Sequence, residues 1–313
     1  MKTPKTTRYA FLALAIGMLT SCSNNDENAT QPLAEKMEQP SALNKECSYV
    51  DGNWSATAVL STTIGTTYCG DYLYEQSECQ VYKRNKLSNI AETTFMNSQN
   101  AKIAAVWGRP SVTLRFVKDP SNPGSTYNAI SYGSGKIYYG EAIYKAAKAK
   151  GNIVNAMILA HEFGHQLQYT FGLPSVSENT ARPNELEADG FAGYYLRKPT
   201  GYNAGSFAAI APGYDFAFSI GDYSTTSAGH HGTPPQRRSA VRLGWLLGQY
   251  DLTASSFDYN FFYYYSGVLN GTYRQANSKY YNPEIDAYIK SHAEELRRIQ
   301  NGEMSTEEYH NLQ

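Results

Sequence analysis

Ala160-His161-Glu162-Phe163-Gly164-His165-Gln166 is the stretch from which the rest of the chain is read. It is an instance of H-E-x-x-H. On a helix, positions four apart project from one face, so His161 and His165 point the same way. Two imidazoles at that spacing can close on one metal ion, and Glu162 can reach a water beside it. The flanking residues predict a buried helix. Ile153, Val154, Met157, Leu159, Ala160, Phe163 and Leu167 cover too much of the circumference for a surface helix. Inside such a helix His161, Glu162 and His165 are costly unless a metal or hydrogen bonds satisfy them. Asn152 is placed to cap the helix, and Gly172 and Pro174 to end it.

Two histidines do not complete a catalytic zinc site, which holds three protein ligands and a water. One zincin pattern continues from the histidine pair as H-x-x-G-x-x-H. Here Gln168 and Phe171 stand at the glycine and histidine positions, which excludes that class. A second helix is expected to begin near Pro183-Asn184 and to carry Glu185, Glu187 and Asp189. Glu185 and Asp189 share a face, whereas Glu187 is turned roughly 200° from Glu185. Ala188, Ala192 and Gly193 are small enough for this helix to approach the first closely. The expected third zinc ligand is Glu185, with Glu187 next in line. Asp189 is expected behind the ligands, accepting a hydrogen bond from a ligand histidine. The competing reading makes the three carboxylates a solvated acidic face at a helix N-terminus.

Upstream, Ser111 to Val117 alternates apolar and polar residues, as a half-buried strand does. Asp119 to Gly124 breaks the chain, and Asn128 to Gly140 reads as two short strands around a turn. Ile137 to Tyr139 is either a sheet edge able to pair with extended peptide or a core strand. Glu141 to Lys150 forms a helix ended by Gly151. Between Glu46 and about Asn100, runs such as Ala56 to Gly65 suggest short extended segments. Downstream, Val241 to Leu247 continues an amphipathic helix. Phe261 to Tyr265 reads as a buried strand or an exposed recognition patch, with a core role expected. Asn282-Pro283 opens a last helix through about Gln300.

The first residues read as an address. Lys2, Lys5 and Arg8 precede a short apolar run from Tyr9 to Leu19, too short to span a bilayer and suited to a signal peptide. Leu19-Thr20-Ser21-Cys22 resembles a bacterial lipobox, which implies lipid attachment at Cys22 and a membrane anchor. Ser23 to Asn44 has the composition of a flexible linker. The expected location is the bacterial cell envelope, as an exported, tethered protein. In that oxidising setting Cys69 and Cys79 are the first candidates for a disulfide, with Cys47 open as a partner to either. A net charge of -1 gives no sign of a nucleic-acid partner, and 27 tyrosines suit a secreted or surface protein without naming a ligand. Oligomeric state is not legible.

Three motifs taken together, HEFGHQLQ, ELEADGFAGYYL and HGTPPQRR, resemble a family of bacterial neutral zinc metallopeptidases. The E-x-x-A-D element and the later histidine-to-arginine spacing also resemble the prenyl protease clan of gluzincins. The resemblance runs from about Asn128 to Arg238. It implies an α+β, zincin-like domain with a small edge-strand sheet and a buried H-E-x-x-H helix. Zinc would be held by His161, His165 and Glu185. By resemblance, His231 and Arg237 match a histidine and an arginine near the site, where either can stabilise an oxyanion. His230 is the rival for His231, and the competing reading makes the segment only a cap for the helix starting near Gln236, with Arg237 in a structural ion pair.

The expected organisation is a signal peptide over 1–21, a linker over 22–45 and a structural region over 46–100. A catalytic domain over 101–250 and an aromatic, helical region over 251–313 follow. The expected chemistry is hydrolysis of peptide or protein substrates with Glu162 as general base. Two rivals stand beside it: a surface-binding lipoprotein with a structural zinc, and a zinc amidase acting on cell-wall peptides.

Overall fold

A computed structural model describes residues 47–50, 53–56, 82–119, 123–265 and 278–313, with the backbone alone for 47–50, 53–56 and 82–84. Cys22, Cys69 and Cys79 lie outside the described residues, as do the signal peptide, the linker and most of the run from Ala56 to Gly65.

The chain is mixed α+β. A hairpin of β1 (Cys47–Val50) and β2 (Asn53–Ala56) comes first. Next are β3 (Tyr82–Arg84), α1 (Ile90–Val106), β4 (Thr113–Lys118), β5 (Ala129–Tyr132) and β6 (Lys136–Gly140). Strands β3 to β6 form one sheet in the order β3-β4-β6-β5, with β4 and β6 parallel and the other pairs antiparallel. Ile137 to Tyr139 therefore lies in an interior strand, and the end strand on that side is β5. The Ala129 N–H donates to Asn128 Oδ1 at 3.0 Å, and the Ser131 carbonyl accepts from the Tyr169 hydroxyl at 3.4 Å.

The helices follow as α2 (Glu141–Lys150), α3 (Asn152–Phe171), α4 (Arg182–Arg197), α5 (Ala211–Ser219) and α6 (Pro234–Leu247). The last are α7 (Ala254–Tyr264), α8 (Pro283–Ser291), α9 (Ala293–Gln300) and α10 (Thr306–His310). Every residue of α3 from Ile153 to Gln168 is buried, as its all-round apolar surface predicts. The helix stops at Gly172, whose φ of 65° is the left-handed conformation that glycine adopts without strain. Helix α3 lies between β5 and α4, and α4 is backed by α6. The α3–α4 crossing is close because Gly164 has no side chain: a Cβ there would sit 3.1 Å from the Ala188 Cα.

Four expectations change. Residues from Ile90 onward are not extended, because Asn89 caps a helix whose buried Asn100 pairs with the backbone of Val112. That helix runs across residue 100. Asn152 does not cap α3; it is the first helical residue, and its side chain accepts from Lys148 Nζ. Phe261 to Tyr265 ends a helix rather than forming a strand, with Phe261, Phe262 and Tyr265 in the core and Phe261 stacked on Tyr265 at 4.7 Å. The last helix breaks at His292, whose ring turns back to the Tyr288 carbonyl at 2.9 Å.

One hydrophobic cluster takes in residues from Leu87 to Tyr309. Trp107 joins α1 to α4 and α7 by stacking on Tyr194 at 4.7 Å and meeting Phe191 and Phe257 edge-on. Among the described residues no helix is long and apolar enough to cross a membrane.

Candidate metal centre

Helices α3 and α4 bring His161, His165 and Glu185 together as a group that could bind a metal ion. One donor atom from each lies within 4.8 Å of the others. His161 Nε2 is 3.4 Å from Glu185 Oε2, and His165 Nε2 is 3.5 Å from Glu185 Oε1. A tetrahedral ion with bonds of about 2.0–2.1 Å holds its donors about 3.4 Å apart, so this spacing suits such an ion. Glu185 is fully buried, and among the described residues neither of its oxygens has a well-formed hydrogen bond, although His161, His165 and Arg237 all face it. A carboxylate left in that state is costly unless a cation completes it. The residues present therefore fit a metal.

The other ring nitrogens are already committed. His161 Nδ1 donates to Asp189 Oδ1 at 2.9 Å. Arg237 grips Asp189 from behind, through Nε to Oδ2 at 2.7 Å and Nη2 to Oδ1 at 2.9 Å. His165 Nδ1 lies 2.8 Å from Gln168 Oε1. Gln168 Nε2 donates both to the Asn184 carbonyl at 2.8 Å and to Glu187 Oε2 at 2.9 Å. Those two acceptors fix the amide, so Gln168 Oε1 is the atom facing His165 and Nδ1 must carry the proton. Each histidine is left with Nε2 as the donor to a metal.

The charges differ across the pair. Burial opposes a charge on His161, but hydrogen bonds and charge from Asp189 and Glu185 push its pKa up to about 10. Burial takes His165 down to about 4; the Glu185 charge opposes that shift, and the charges at His161 and Arg237 add to it. Burial also opposes ionisation of Glu185, yet the facing His161, His165 and His231 hold its carboxyl at about 2. Glu187 points elsewhere: burial and then the Asp258 charge push it well above the ordinary carboxyl range.

His231 sits in the loop that joins α5 to α6. Asp222 organises this loop: Oδ2 accepts the His231 N–H at 2.9 Å and Oδ1 lies 2.8 Å from His230 Nδ1. His231 acts electrostatically on Glu185, and its buried Nε2 has no hydrogen-bond partner among the described residues. His230 pairs with Asp222, and its own buried Nε2 is likewise without a hydrogen-bond partner among the described residues. The helix cap is also present: Thr233 and Gln236 form a reciprocal capping box at the start of α6. Arg237 on that helix reaches Asp189 and comes within 3.7 Å of Glu185 Oε2.

His161, Glu162, Asp189 and Arg237 line a cleft together with apolar residues of α2, α3 and α5. Glu162 is buried beside the group and opens onto the same cleft as His161. Sequence reading did not single out Gln168 or Asp222 as supporting residues. Gln168 was legible, because three residues after His165 it shares that face of the helix. Asp222 was not, since a loop partner eight residues from His230 follows no period. Compared with protein families, characterised proteins and solved structures, the chain shows no match.

Proposed function

We propose that the chain is a zinc-dependent peptidase of zincin-like fold, with His161, His165 and Glu185 as ligands and Glu162 as general base. The observation that carries this reading is the three-membered group, whose His161 opens on a cleft that the buried Glu162 also lines. A structural zinc takes four protein ligands, whereas three leave a position for water or substrate. The resemblance of the three sequence motifs to bacterial neutral zinc metallopeptidases supports the choice of metal and reaction. Export and tethering through Cys22 belong to the same proposal and rest on the N-terminal sequence alone.

Zinc bound there would polarise the scissile carbonyl and lower the pKa of the attacking water. Glu162 takes the proton from that water and passes it to the leaving amine. His231, held by Asp222, offers Nε2 to the oxyanion. Asp189 keeps the His161 tautomer, and Arg237 acts through Asp189 rather than on substrate.

The test is hydrolysis of an unstructured protein such as casein by the purified zinc-loaded chain. Hydrolysis abolished by 1,10-phenanthroline and restored by added zinc is expected. A zinc-loaded chain that cleaves neither protein nor peptide overturns the proposal. Cleavage confined to cell-wall peptides moves the substrate to the amidase alternative.

A further inference from the structure

Arg197 closes α4 with a charge that no carboxylate pairs with among the described residues. Its Nη1 donates to the Trp245 and Leu246 carbonyls at 3.0 and 3.4 Å, and its Nη2 to Gln249 Oε1 at 2.9 Å. These neutral acceptors hold the guanidinium over the Trp245 ring, 5.6 Å from its centroid. Nε is left without a hydrogen-bond partner among the described residues. Arg197 lines a pocket of about 470 Å³, within the range of small-ligand sites. The pocket is remote from the metal centre: Arg197 follows Glu185 by 12 residues, roughly 18 Å along the α4 axis.

The rest of the wall is polar and carries no acid. His292 Nδ1 is turned to the Tyr288 carbonyl at 2.9 Å, which leaves Nε2 for a ligand. The Tyr288 hydroxyl has no hydrogen-bond partner among the described residues. The Ser206 hydroxyl accepts the Ala209 N–H at 3.2 Å and keeps its own proton to donate. Gln313 also lines the pocket, and its main-chain oxygen is taken up by Arg242 Nη1 at 2.6 Å. None of the described side chains in the wall is an aspartate or glutamate. A cation entering would meet Arg197 with no counter-charge, whereas an oxyanion would gain a charge-assisted hydrogen bond from it. The hydroxyls and the imidazole suit a body that both donates and accepts, as a sugar ring does.

We propose that this pocket binds a sugar acid or a sugar phosphate, with the oxyanion on Arg197 and the hydroxyls on Ser206, Tyr288 and His292. The proposal stands whether or not the chain is a peptidase.

The full chain is titrated by calorimetry at low salt with glucuronate, glucose 6-phosphate, glucose and glucosamine, which share a ring and differ in charge. At least one of the two anions should bind roughly tenfold or more tightly than glucose, and glucosamine more weakly than glucose. Whichever anion leads names the acid, carboxylate or phosphate. Arg197→Gln removes the charge and should erase the preference. Gly205→Trp fills the space and leaves the guanidinium in place. A Cβ at Gly205 meets nothing within 4 Å, so this variant should melt as the parent does while losing the bound anion. Binding should be the same with and without added zinc. The proposal is overturned if neither anion binds at millimolar concentration or if glucose binds as tightly as both. It is equally overturned if the anion needs zinc, or if both variants bind it as the parent does.

Discussion

Gln168 Oε1 lies 2.8 Å from His165 Nδ1, and the glutamine amide is itself fixed by the Asn184 carbonyl and Glu187. The position that rules out one zincin pattern in the sequence thus holds the ring of a candidate ligand in the fold. Gln168→Leu removes the acceptor and leaves the His165 ring free to change tautomer. Zinc affinity, measured by chelator competition, should fall about 10–100-fold. Glu187→Gln keeps an acceptor for Gln168 Nε2 and should leave zinc affinity within a few-fold of the parent. Equal affinities in the parent and Gln168→Leu would remove the glutamine from the site.

Metal binding should be coupled to one proton. Glu185 is held at about 2 and His165 at about 4, so neither carries a proton to displace at neutral pH. His161, pushed up to about 10, does carry one. Zinc must displace it, so log apparent affinity should rise by about one per pH unit between the two imidazole values. A flat profile over that window would contradict the charge assignment. In the metal-free chain the raised His161 value contributes stability below the unfolded pKa of about 6.5, and that contribution is lost as pH rises towards about 10. Metal-free protein should therefore melt progressively lower over that interval.

Gly164 lies where the two helices that carry His161, His165 and Glu185 approach each other. In Gly164→Ala the new Cβ would meet the Ala188 Cα at 3.1 Å, a backbone atom that cannot swing away. Overpacking of this kind costs about 1–3 kcal/mol. Thermal melting should drop, and zinc affinity should fall with it because α3 and α4 carry the ligands. Gly133→Ala is the control: its Cβ would meet nothing nearer than the Tyr169 ring at 3.8 Å, and its melting should barely move. Similar melting of the two variants would contradict the packing argument.

Glu185 and Glu187 are two residues apart and do opposite jobs. Glu185 faces both Nε2 atoms, while Glu187 faces Gln168 and Asp258. Glu185→Ala should lose bound zinc on dialysis, and Glu187→Ala should retain it at reduced affinity. Retained zinc in Glu185→Ala, with loss in Glu187→Ala, would exchange the two assignments.

What could be read from the sequence was local or periodic. HEFGH, the stop at Gly172 and the shared face of Glu185 and Asp189 all follow from helical spacing. The helix Ile90–Val106 was not legible, because its buried Gln99 and Asn100 are satisfied by tertiary partners that no spacing announces. Phe261 to Tyr265 misled for a related reason: a five-residue apolar run has no period of its own, and helical packing against Gly190 decided it. The link from Asp222 to His231 runs within a loop and obeys no pattern. Sequence resemblance brought His231 and Arg237 to notice. The fold separates them, with Arg237 bound to Asp189 and His231 leaving Nε2 unpartnered.

The central claim is that Glu162 serves as the base beside a zinc held by His161, His165 and Glu185. Its most direct test is Glu162→Gln, assayed for bound zinc and peptide hydrolysis on one preparation. The account predicts about one zinc per chain, as in the parent, and hydrolysis reduced at least roughly a hundredfold. Undiminished hydrolysis by the zinc-loaded variant would contradict it.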